Sequence, residues 1–395
     1  MSIILGPPVI ESNDERITYR VETNGFPGPD SLWFSVPVEA ASLLNPRGDA
    51  AIVALLMPLM SLGRRVTVEG PFTDELAWNV RGEVQQILRR LRPELAPVEI
   101  DFDDLVPPLP PGTAVGTGYS AGVDSYTTLA RFLFAADVPA GMRVTHLLYN
   151  NVGSHGHGET GRTRYENRLN LLRPHARSTG LPLIDVDSNL DDFFLATGIA
   201  FQPSHTIRNA AVVHLLSAGI RQYLYSSAVS YDDVTCTPTF DISHADPILL
   251  PFLSTRSTTL QSSGSDLDRK AKIALVAEMP LTYERLDVCV ASRDGTNCSE
   301  CRKCQRTMLF LELLGALDRY GKVFTTPRNP RWREEHIIQS IIQGVPSARS
   351  IVRLYDAQVG VPLRLRAEAR RRITVRETNR VVGSVKRRFA RAMGS

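Results

Sequence analysis

The chain has 395 residues, of which 43% are apolar and 22% are charged, proportions that are ordinary for a soluble globular protein. The longest apolar run, residues 50–60, contains Pro58 and is too short for a transmembrane helix. The N-terminus lacks the pattern of a signal peptide. Five cysteines, four of them clustered, do not suggest a disulfide framework. We therefore expect a cytoplasmic protein without membrane contact.

Residues 1–105 predict a small α+β module. Strands are expected at 16–23, 31–37, 65–69 and 98–102, and helices at 49–62 and 73–95. The segment 106–112 contains four prolines. Because neither a helix nor a central strand accommodates them, this segment predicts a linker and a domain boundary.

Short β-rich runs alternate with helical segments over residues 113–325, which we expect to form the main domain. The strands are expected at 113–118, 145–150, 182–186 and 222–226, and helices at 126–135, 162–178 and 208–218. This alternation predicts an α/β fold with a doubly wound parallel sheet. Ligands of such sheets bind at the carboxyl ends of the strands.

The loop after the first of these strands, Tyr119-Ser120-Ala121-Gly122-Val123-Asp124-Ser125, predicts a phosphate site. Small side chains let backbone N–H groups approach a phosphate, and Ser120 and Ser125 add hydroxyl donors. A carboxylate repels a bare phosphate, so we expect Asp124 to hold Mg²⁺ against the phosphates. The loop lacks the Gly-Lys-Ser/Thr ending of a Walker motif. An ordinary glycine-rich strand-to-helix turn is the alternative interpretation.

Four cysteines, Cys289, Cys298, Cys301 and Cys304, have the spacing C-x8-C-x2-C-x2-C. Two residues between cysteines let both thiolates bind one metal ion, and four thiolates predict a closed, structural Zn²⁺ site. An iron–sulfur cluster on three of the cysteines and a set of buried thiols are the alternatives.

Residues 326–395 predict a basic, partly helical C-terminal extension, with helices at 333–343 and 362–372. The whole chain has a net charge of +3, but this segment contains 16 Lys and Arg against 5 Asp and Glu, so the remainder is acidic. The asymmetry predicts either a partner with phosphates, such as RNA, or contact with the protein's own acidic or oligomeric face. The basic residues concerned are Arg364, Arg366, Arg370, Arg371, Arg372, Lys386, Arg387 and Arg388.

The segment 120–125 resembles the Ser-Gly-Gly-x-Asp-Ser loop of the ATP pyrophosphatase (PP-loop) superfamily, whose members split ATP into AMP and pyrophosphate. Ala121 replaces the second glycine, which a negative φ at this residue would tolerate. The cysteine spacing is similar to the zinc motif of the 7-cyano-7-deazaguanine synthase family. Three further matches follow in the same order: Arg208-Asn209, Cys236-Thr-Pro-Thr-Phe240 and Lys270.

The resemblance covers about half of the chain and departs from the family at Thr237 and Thr239, where the family has Arg and Glu. It implies a HUP-type (adenine nucleotide alpha hydrolase-like) sheet. The departures imply an enzyme whose substrate differs from that of the family. It implies ATP, Mg²⁺ and Zn²⁺ as cofactors, with Zn²⁺ holding the end of the substrate pocket in shape. The residues expected to bind the nucleotide are Tyr119, Ser120, Ala121, Gly122, Val123, Asp124, Ser125, Tyr149 and Asp187, and the expected catalytic residues are Asp124, Ser125, Arg208, Cys236 and Lys270.

The implied activity is that of an ATP-dependent ligase. It would adenylate a carboxylate or oxo group of a small, purine-like substrate and replace it with nitrogen, while Arg208 and Lys270 stabilise the leaving pyrophosphate. Sulfur insertion into a nucleobase or tRNA is an alternative, in which Cys236 or an iron–sulfur cluster supplies the sulfur. A non-catalytic protein that binds nucleotides or nucleic acids is the other alternative. We expect a homo-oligomer.

Overall fold

The structure is a computed structural model that describes residues 2–292 and 294–376. The chain forms two compact units, one of Met1–Leu267 with Arg293–Gly295 and one of Asp268–Ser292 with Thr296–Ser395. No helix within the described residues is both long and apolar enough to cross a bilayer. Three of the basic residues in the predicted tail, Lys386, Arg387 and Arg388, lie outside the described residues.

One mixed sheet organises the first unit, and the described residues contribute eleven strands to it. They are β1 (Ile3–Leu5), β2 (Val9–Ser12), β3 (Arg16–Asn24), β4 (Ser31–Pro37), β5 (Val66–Thr73), β6 (Ile100–Val106), β7 (Ala114–Gly118), β8 (His146–Asn150), β9 (Leu183–Ser188), β10 (Ile220–Ser226) and β11 (Thr259–Ser263). Neighbours follow the order β11-β10-β7-β8-β9-β4-β3-β1-β5-β6, and β2 pairs with β3. Most of the pairs are parallel. The predicted α/β class with a large, mostly parallel sheet is confirmed.

Twelve α-helices have both of their ends within the described residues. They are α1 (Asp49–Leu62), α2 (Asp74–Arg81), α3 (Glu83–Leu91), α4 (Val123–Leu129), α5 (Gly158–Arg177), α6 (Leu190–Ala196), α7 (His205–Leu215), α8 (Asp246–Phe252), α9 (Arg269–Ala277), α10 (Arg302–Leu313), α11 (Trp332–Gln343) and α12 (Pro346–Gln358). Residues 363–376 are also helical. The single helix predicted over 73–95 is instead two helices, because Gly82 adopts a non-helical ψ of −99° between them.

The parallel half of the sheet has the order β9-β8-β7-β10-β11. From β7 the chain adds β8 and β9 on one side, and it then returns to add β10 and β11 on the other. The strand order therefore reverses between β7 and β10. In open α/β sheets such a reversal leaves a crevice outside the carboxyl ends of the strands, where ligands bind.

Residues 1–105, predicted as a separate module, continue the same sheet. β4 pairs antiparallel with β9, so that Phe34 lies opposite Ser188. Across this joint the Arg16 guanidinium donates to the carboxylate of buried Asp185 at 2.8 Å and to the Asp185 carbonyl at 3.2 Å. The proline-rich segment 106–112 thus connects β6 to β7 within one compact unit.

The core of the first unit is centred on α1, which is buried on every side from Asp49 to Met60. A helix that is apolar all round belongs inside a protein, and α1 packs against α7. Its buried Asp49 accepts hydrogen bonds from the N–H and hydroxyl of Thr73 at 2.9 and 2.6 Å and from Asn45 at 2.9 Å. These bonds offset the cost of burying the carboxylate.

The second unit packs α9, α10, α11 and α12 against one another. Arginines of the predicted basic tail pair here with acidic residues of the same unit: Arg364 with Glu334, Arg366 with Asp356, Arg371 with Glu368, and Arg372 with Glu335 and Glu368. In the described part of the tail, much of the positive charge therefore faces the protein's own carboxylates.

Candidate functional site

A cavity of about 260 Å³ lies at the carboxyl ends of β7, β8 and β10, where the strand order reverses. Five of the residues predicted to bind nucleotide line it, and eight further residues complete the wall. The predicted ones are Tyr119, Ser120, Asp124, Ser125 and Tyr149, and the others are Gly118, Leu148, Asn150, Ser154, Asn209, Tyr223, Tyr225 and Ser226. The candidate phosphate loop is therefore at the edge of the sheet where parallel α/β proteins bind ligands.

Hydrogen bonds within the loop fix its turn. The Tyr119 N–H donates to the Leu148 carbonyl of the neighbouring strand at 2.8 Å. The Ser125 hydroxyl donates to the Gly122 carbonyl at 3.0 Å, and the Tyr126 N–H donates to the same carbonyl at 3.0 Å. Ser120 is exposed. The Ser125 hydroxyl proton is thus already used inside the loop, so its oxygen faces the cavity chiefly as an acceptor.

Ala121 has a φ of +55°, in the left-handed region, and its side chain is fully buried. A negative φ would have made alanine acceptable at this position, and the structure does not meet that condition. The left-handed region crowds a Cβ atom against the following carbonyl oxygen, so an alanine is strained there. The turn has the shape that a glycine would favour, although the residue is alanine.

Two asparagines also line the cavity. Asn150, at the end of β8, donates through Nδ2 to Oδ1 of Asn209 at 2.9 Å, and Asn209 donates through Nδ2 to the His205 carbonyl at 2.7 Å. A carbonyl can only accept, so this order fixes the orientation of both amides. It leaves the buried Oδ1 of Asn150 without a donor among the described residues. Such an acceptor is typical of a place that a ligand or water completes.

An aromatic cluster supports the cavity beside β8. Tyr149 stacks on Tyr165, with ring centroids 5.3 Å apart and planes 3° apart. The Tyr149 hydroxyl is 2.7 Å from Nε2 of buried His155. Burial, helped by the positive charges of Arg168 and Arg164, lowers the pKa of His155 to about 4. His155 is therefore neutral near pH 7 and anchors the glycine-rich segment 153–158.

Arg208, predicted to act on the leaving pyrophosphate, has a different environment. Its side chain is buried, and it donates to the Asp191 carboxylate at 2.6 Å and to the Val152 carbonyl at 2.8 Å. Its guanidinium lies 3.7 Å from the centre of the Phe194 ring. Burial lowers its pKa to about 10, with Asp191 acting in the opposite sense, so it stays charged at neutral pH. It is not among the described residues that line the cavity.

Gly153 explains how the ion pair of Arg208 and Asp191 fits beneath the segment that follows β8. It has a φ of +107°, and a Cβ added there would collide with the paired side chains of Arg208 and Asp191. The chain after β8 therefore passes directly over the pair. Arg208 holds the segment from Asn150 to Gly153 in place, and so it positions the cavity wall.

Three other predicted site residues have different environments. Asp187 accepts from Asn151 at 2.7 Å and from Arg162 at 2.8 Å. Cys236 is half-buried against the apolar core. Neither belongs to the described cavity lining. Lys270 is exposed on α9 and belongs to the second unit.

The four clustered cysteines come together in the second unit. The ligand atoms of Cys289, Cys298, Cys301 and Cys304 all lie within 4.8 Å of one another. Two of the sulfur–sulfur distances are 3.9 and 3.5 Å. Four sulfurs placed tetrahedrally at the usual zinc–sulfur distance would be about 3.8 Å apart. The cluster could therefore bind a metal ion such as zinc.

The surroundings of the sulfurs also fit a cation. Backbone N–H groups of Ala291 and Ser292 donate to the sulfur of Cys289 at 3.4 and 3.3 Å. The hydrogen bond between Cys301 and Cys304 lowers the pKa of the Cys301 thiol to about 4, and the same bond raises the pKa of the Cys304 thiol far above its ordinary value. Crowded thiols thus share their protons, and a bound cation would let all of them ionise.

Comparison of the chain with protein-family models, with curated proteins and with solved structures finds no match. The functional argument consequently depends on the geometry of the chain itself. Asn150, Tyr223, Tyr225 and Ser226 were not predicted as site residues. Asn150, Tyr225 and Ser226 lie at the carboxyl ends of the predicted strands 145–150 and 222–226, so the rule that ligands bind at carboxyl ends could have identified these three.

Proposed function

We propose that this chain is an ATP-dependent ligase of the ATP pyrophosphatase type, which transfers AMP to an oxygen of a small, purine-like substrate. The observation that carries the proposal is the position of the loop 119–125. Its Ser120, Asp124 and Ser125 line a cavity at the reversal point of a parallel sheet, where nucleotides bind in other α/β proteins.

The charge of the cavity favours a metal-bound nucleotide. Asp124 is the acidic residue on its wall, and no Lys or Arg occurs among the described lining residues. A bare triphosphate would meet the negative charge of this carboxylate. Mg²⁺ removes that conflict because it binds carboxylate and phosphate oxygens together. We therefore propose that the cavity takes Mg²⁺–ATP and not free ATP.

The rest of the wall offers groups that suit a nucleoside. Tyr149, held by Tyr165, adds an aromatic ring to the wall, and Asn150, joined to Asn209 by a hydrogen bond, adds an amide. Arg208 would act at a distance, by fixing the segment that carries Asn150.

The chemistry follows from an in-line attack on the α-phosphate. A carboxylate or ring-oxo oxygen of the substrate displaces pyrophosphate and forms an adenylated intermediate. A nitrogen nucleophile, most simply ammonia, then displaces AMP. Mg²⁺ would stabilise the charge that develops on the pyrophosphate.

The products distinguish this proposal from ordinary ATP hydrolysis. The protein would be incubated with ATP, Mg²⁺, ammonium chloride and a panel of oxopurines and of purine and 7-deazapurine carboxylates. We expect AMP and pyrophosphate in equal amounts. ADP and phosphate, or no product with any member of the panel, would contradict the proposal.

A variant pair tests the role of Asp124. Asp124→Asn should abolish both turnover and Mg²⁺-dependent binding of ATP, while the thermal unfolding temperature stays near that of the unchanged protein. Asp232→Asn removes an exposed carboxyl from the same unit and serves as the control. Normal turnover in Asp124→Asn would refute the magnesium assignment.

A further inference from the structure

A chain of three hydrogen-bonded side chains leads away from the cavity. Tyr225, on β10, lines the cavity, and its hydroxyl is 2.7 Å from Nδ1 of His205. The other ring nitrogen of His205, Nε2, is 3.2 Å from Oδ1 of Asp241. None of the three was assigned a role in the proposed binding of Mg²⁺–ATP.

The environment of Asp241 fixes the direction of these bonds. Its Oδ1 accepts from the N–H of Ser243 at 3.0 Å and from the Ser243 hydroxyl at 2.6 Å. Burial alone would raise the pKa of Asp241, but the hydrogen bonds from His205 and Ser243 outweigh it and hold the pKa well below its ordinary value. Asp241 is therefore a carboxylate and can only accept.

This choice determines the proton positions on His205. Since Asp241 accepts, Nε2 of a neutral His205 carries the proton and Nδ1 is left as an acceptor. The Tyr225 hydroxyl must then donate to Nδ1. One lone pair of the Tyr225 oxygen lies against the Thr206 hydroxyl, and the other is left for a proton donor in the cavity that Tyr225 lines.

Side-chain exposure increases from His205 to Asp241, away from the cavity. The side chain of His205 is 13% exposed and that of Asp241 is 32% exposed. A second carboxyl, Asp246, is near the same groups, but it is fully buried and accepts from the Thr206 hydroxyl at 2.7 Å. Asp241, and not Asp246, therefore connects these hydrogen-bonded side chains to solvent.

We propose that Tyr225, His205 and Asp241 form a proton relay from the cavity to solvent, with Tyr225 as the catalytic residue and the other two as positioning residues. The inference rests on the proposed function, because it assigns the group that deprotonates the attacking nucleophile. The nitrogen that displaces AMP must lose a proton as its new bond forms. That proton passes to the Tyr225 oxygen while the Tyr225 proton passes to Nδ1 of His205.

The relay balances without a further reactant. His205 becomes an imidazolium whose positive charge is stabilised by the Asp241 carboxylate. Its Nε2 proton then leaves to solvent through Asp241, which is a carboxylate again at the end of the step. Exchange of the ring protons of His205 with water restores the proton on Nε2 before the next turnover. The same relay would serve a sulfur nucleophile, so it does not depend on which nucleophile the enzyme uses.

The first test separates binding from turnover. We would measure the Kd of Mg²⁺–ATP by calorimetry, and the rate of AMP release with the substrate panel described above. Tyr225→Phe should lower AMP release by about 100-fold or more, since general acid–base groups contribute this much, and should leave the Kd of Mg²⁺–ATP unchanged. Tyr231→Phe removes the hydroxyl of an exposed tyrosine of the same unit and should behave as the unchanged protein.

The outcomes are distinguishable. If the unchanged protein releases no AMP, the proposed function fails. If it releases AMP and Tyr225→Phe does so equally fast, or if Tyr225→Phe only weakens the binding of ATP, the relay is refuted.

A second measurement needs no substrate. Nitrogen NMR of the ligand-free protein should show neutral His205 protonated on Nε2, and Asp241→Asn should disturb this preference. A proton on Nδ1 in the unchanged protein would reverse the direction of the Tyr225 bond and overturn the inference.

Discussion

Ala121 is one of two described non-glycine residues with a positive φ. It has a left-handed φ of +55° in the loop that lines the cavity. This conformation costs a non-glycine residue about 1–2 kcal/mol. Strain of this kind persists only where the surrounding structure imposes it, and it concentrates at functional sites. The hydrogen bonds of the loop to Gly122 and Leu148 supply that constraint here.

Replacing Ala121 by glycine should therefore be unusually well tolerated. We compare it with Ala211→Gly, because Ala211 is also fully buried and lies inside α7. Both changes remove a buried methyl and add freedom to the unfolded chain, but only Ala121→Gly relieves strain. We expect its free energy of unfolding, from urea titration, to exceed that of Ala211→Gly by about 1–2 kcal/mol. Equal losses in both variants would mean that Ala121 is not strained.

Some residues of the site can be predicted from the sequence more easily than others. Those of the loop 119–125 are contiguous, and their chemistry suggests phosphate without any knowledge of the fold. Asn150, His205 and Tyr225 come from three separate elements, and only the strand order brings them together. Hydrophobic periodicity predicts elements but not their neighbours, so a network of this kind could not be predicted.

At the scale of elements, the strands and helices around the loop were predicted more reliably than their partners. α1 has the predicted bounds 49–62, because a continuous apolar run with a glycine after it marks a buried helix. The pairing of β4 with β9 was missed. It depends on non-local contacts such as that of Arg16 with Asp185, and polar residues far apart in the sequence give no sign of it.

The short α8 begins with a buried carboxyl that should make stability depend on pH. Burial raises the pKa of Asp246 to about 7, against the opposing effects of His205 and Thr206. A group whose pKa is raised on folding stabilises the fold below its unfolded pKa, and this contribution is lost as the pH rises through 7. Asp246→Asn keeps an acceptor for the Thr206 hydroxyl and cannot ionise.

The stability of the unchanged protein and that of Asp246→Asn should therefore depend differently on pH. Between pH 5 and pH 8 the unchanged protein should lose on the order of 2 kcal/mol of unfolding free energy relative to Asp246→Asn. Urea titrations at both pH values measure this difference. Asp232→Asn, which removes an exposed carboxyl, should shift stability equally at both pH values. If the difference in unfolding free energy between the unchanged protein and Asp246→Asn is also the same at pH 5 and pH 8, Asp246 ionises normally.

At the scale of the whole molecule, charge and metal chemistry concern the second unit. The excess of arginine near the C-terminus suggested a nucleic-acid partner. In the described residues, Arg364 and Arg372 are paired with Glu334 and Glu335. Exposed pairs of this kind contribute little to stability, but they reduce the charge that a phosphate backbone would encounter.

The cysteine cluster leads to a prediction about the stability of this unit. Four ligand atoms within 4.8 Å of one another, without a cation, would leave several sulfurs protonated and the segments that carry them poorly fixed. We expect about one zinc per chain by elemental mass spectrometry. Cys298→Ser should lose the metal, whereas Cys236→Ser, which changes the one cysteine outside the cluster, should retain it.

The region that loses stability when the metal is removed distinguishes a structural metal from an adventitious one. After the metal is removed by a chelator, amide hydrogen exchange should accelerate in α10, whose first turn carries Cys304, and in the neighbouring α9 and α11. Exchange in β7 and β8 of the first unit should stay slow. Because binding energy at a structural site is folding energy, unchanged exchange in α10 would mean that the cysteines do not hold a structural ion. A brown protein that contains iron would instead favour the iron–sulfur alternative and, with it, sulfur as the nucleophile.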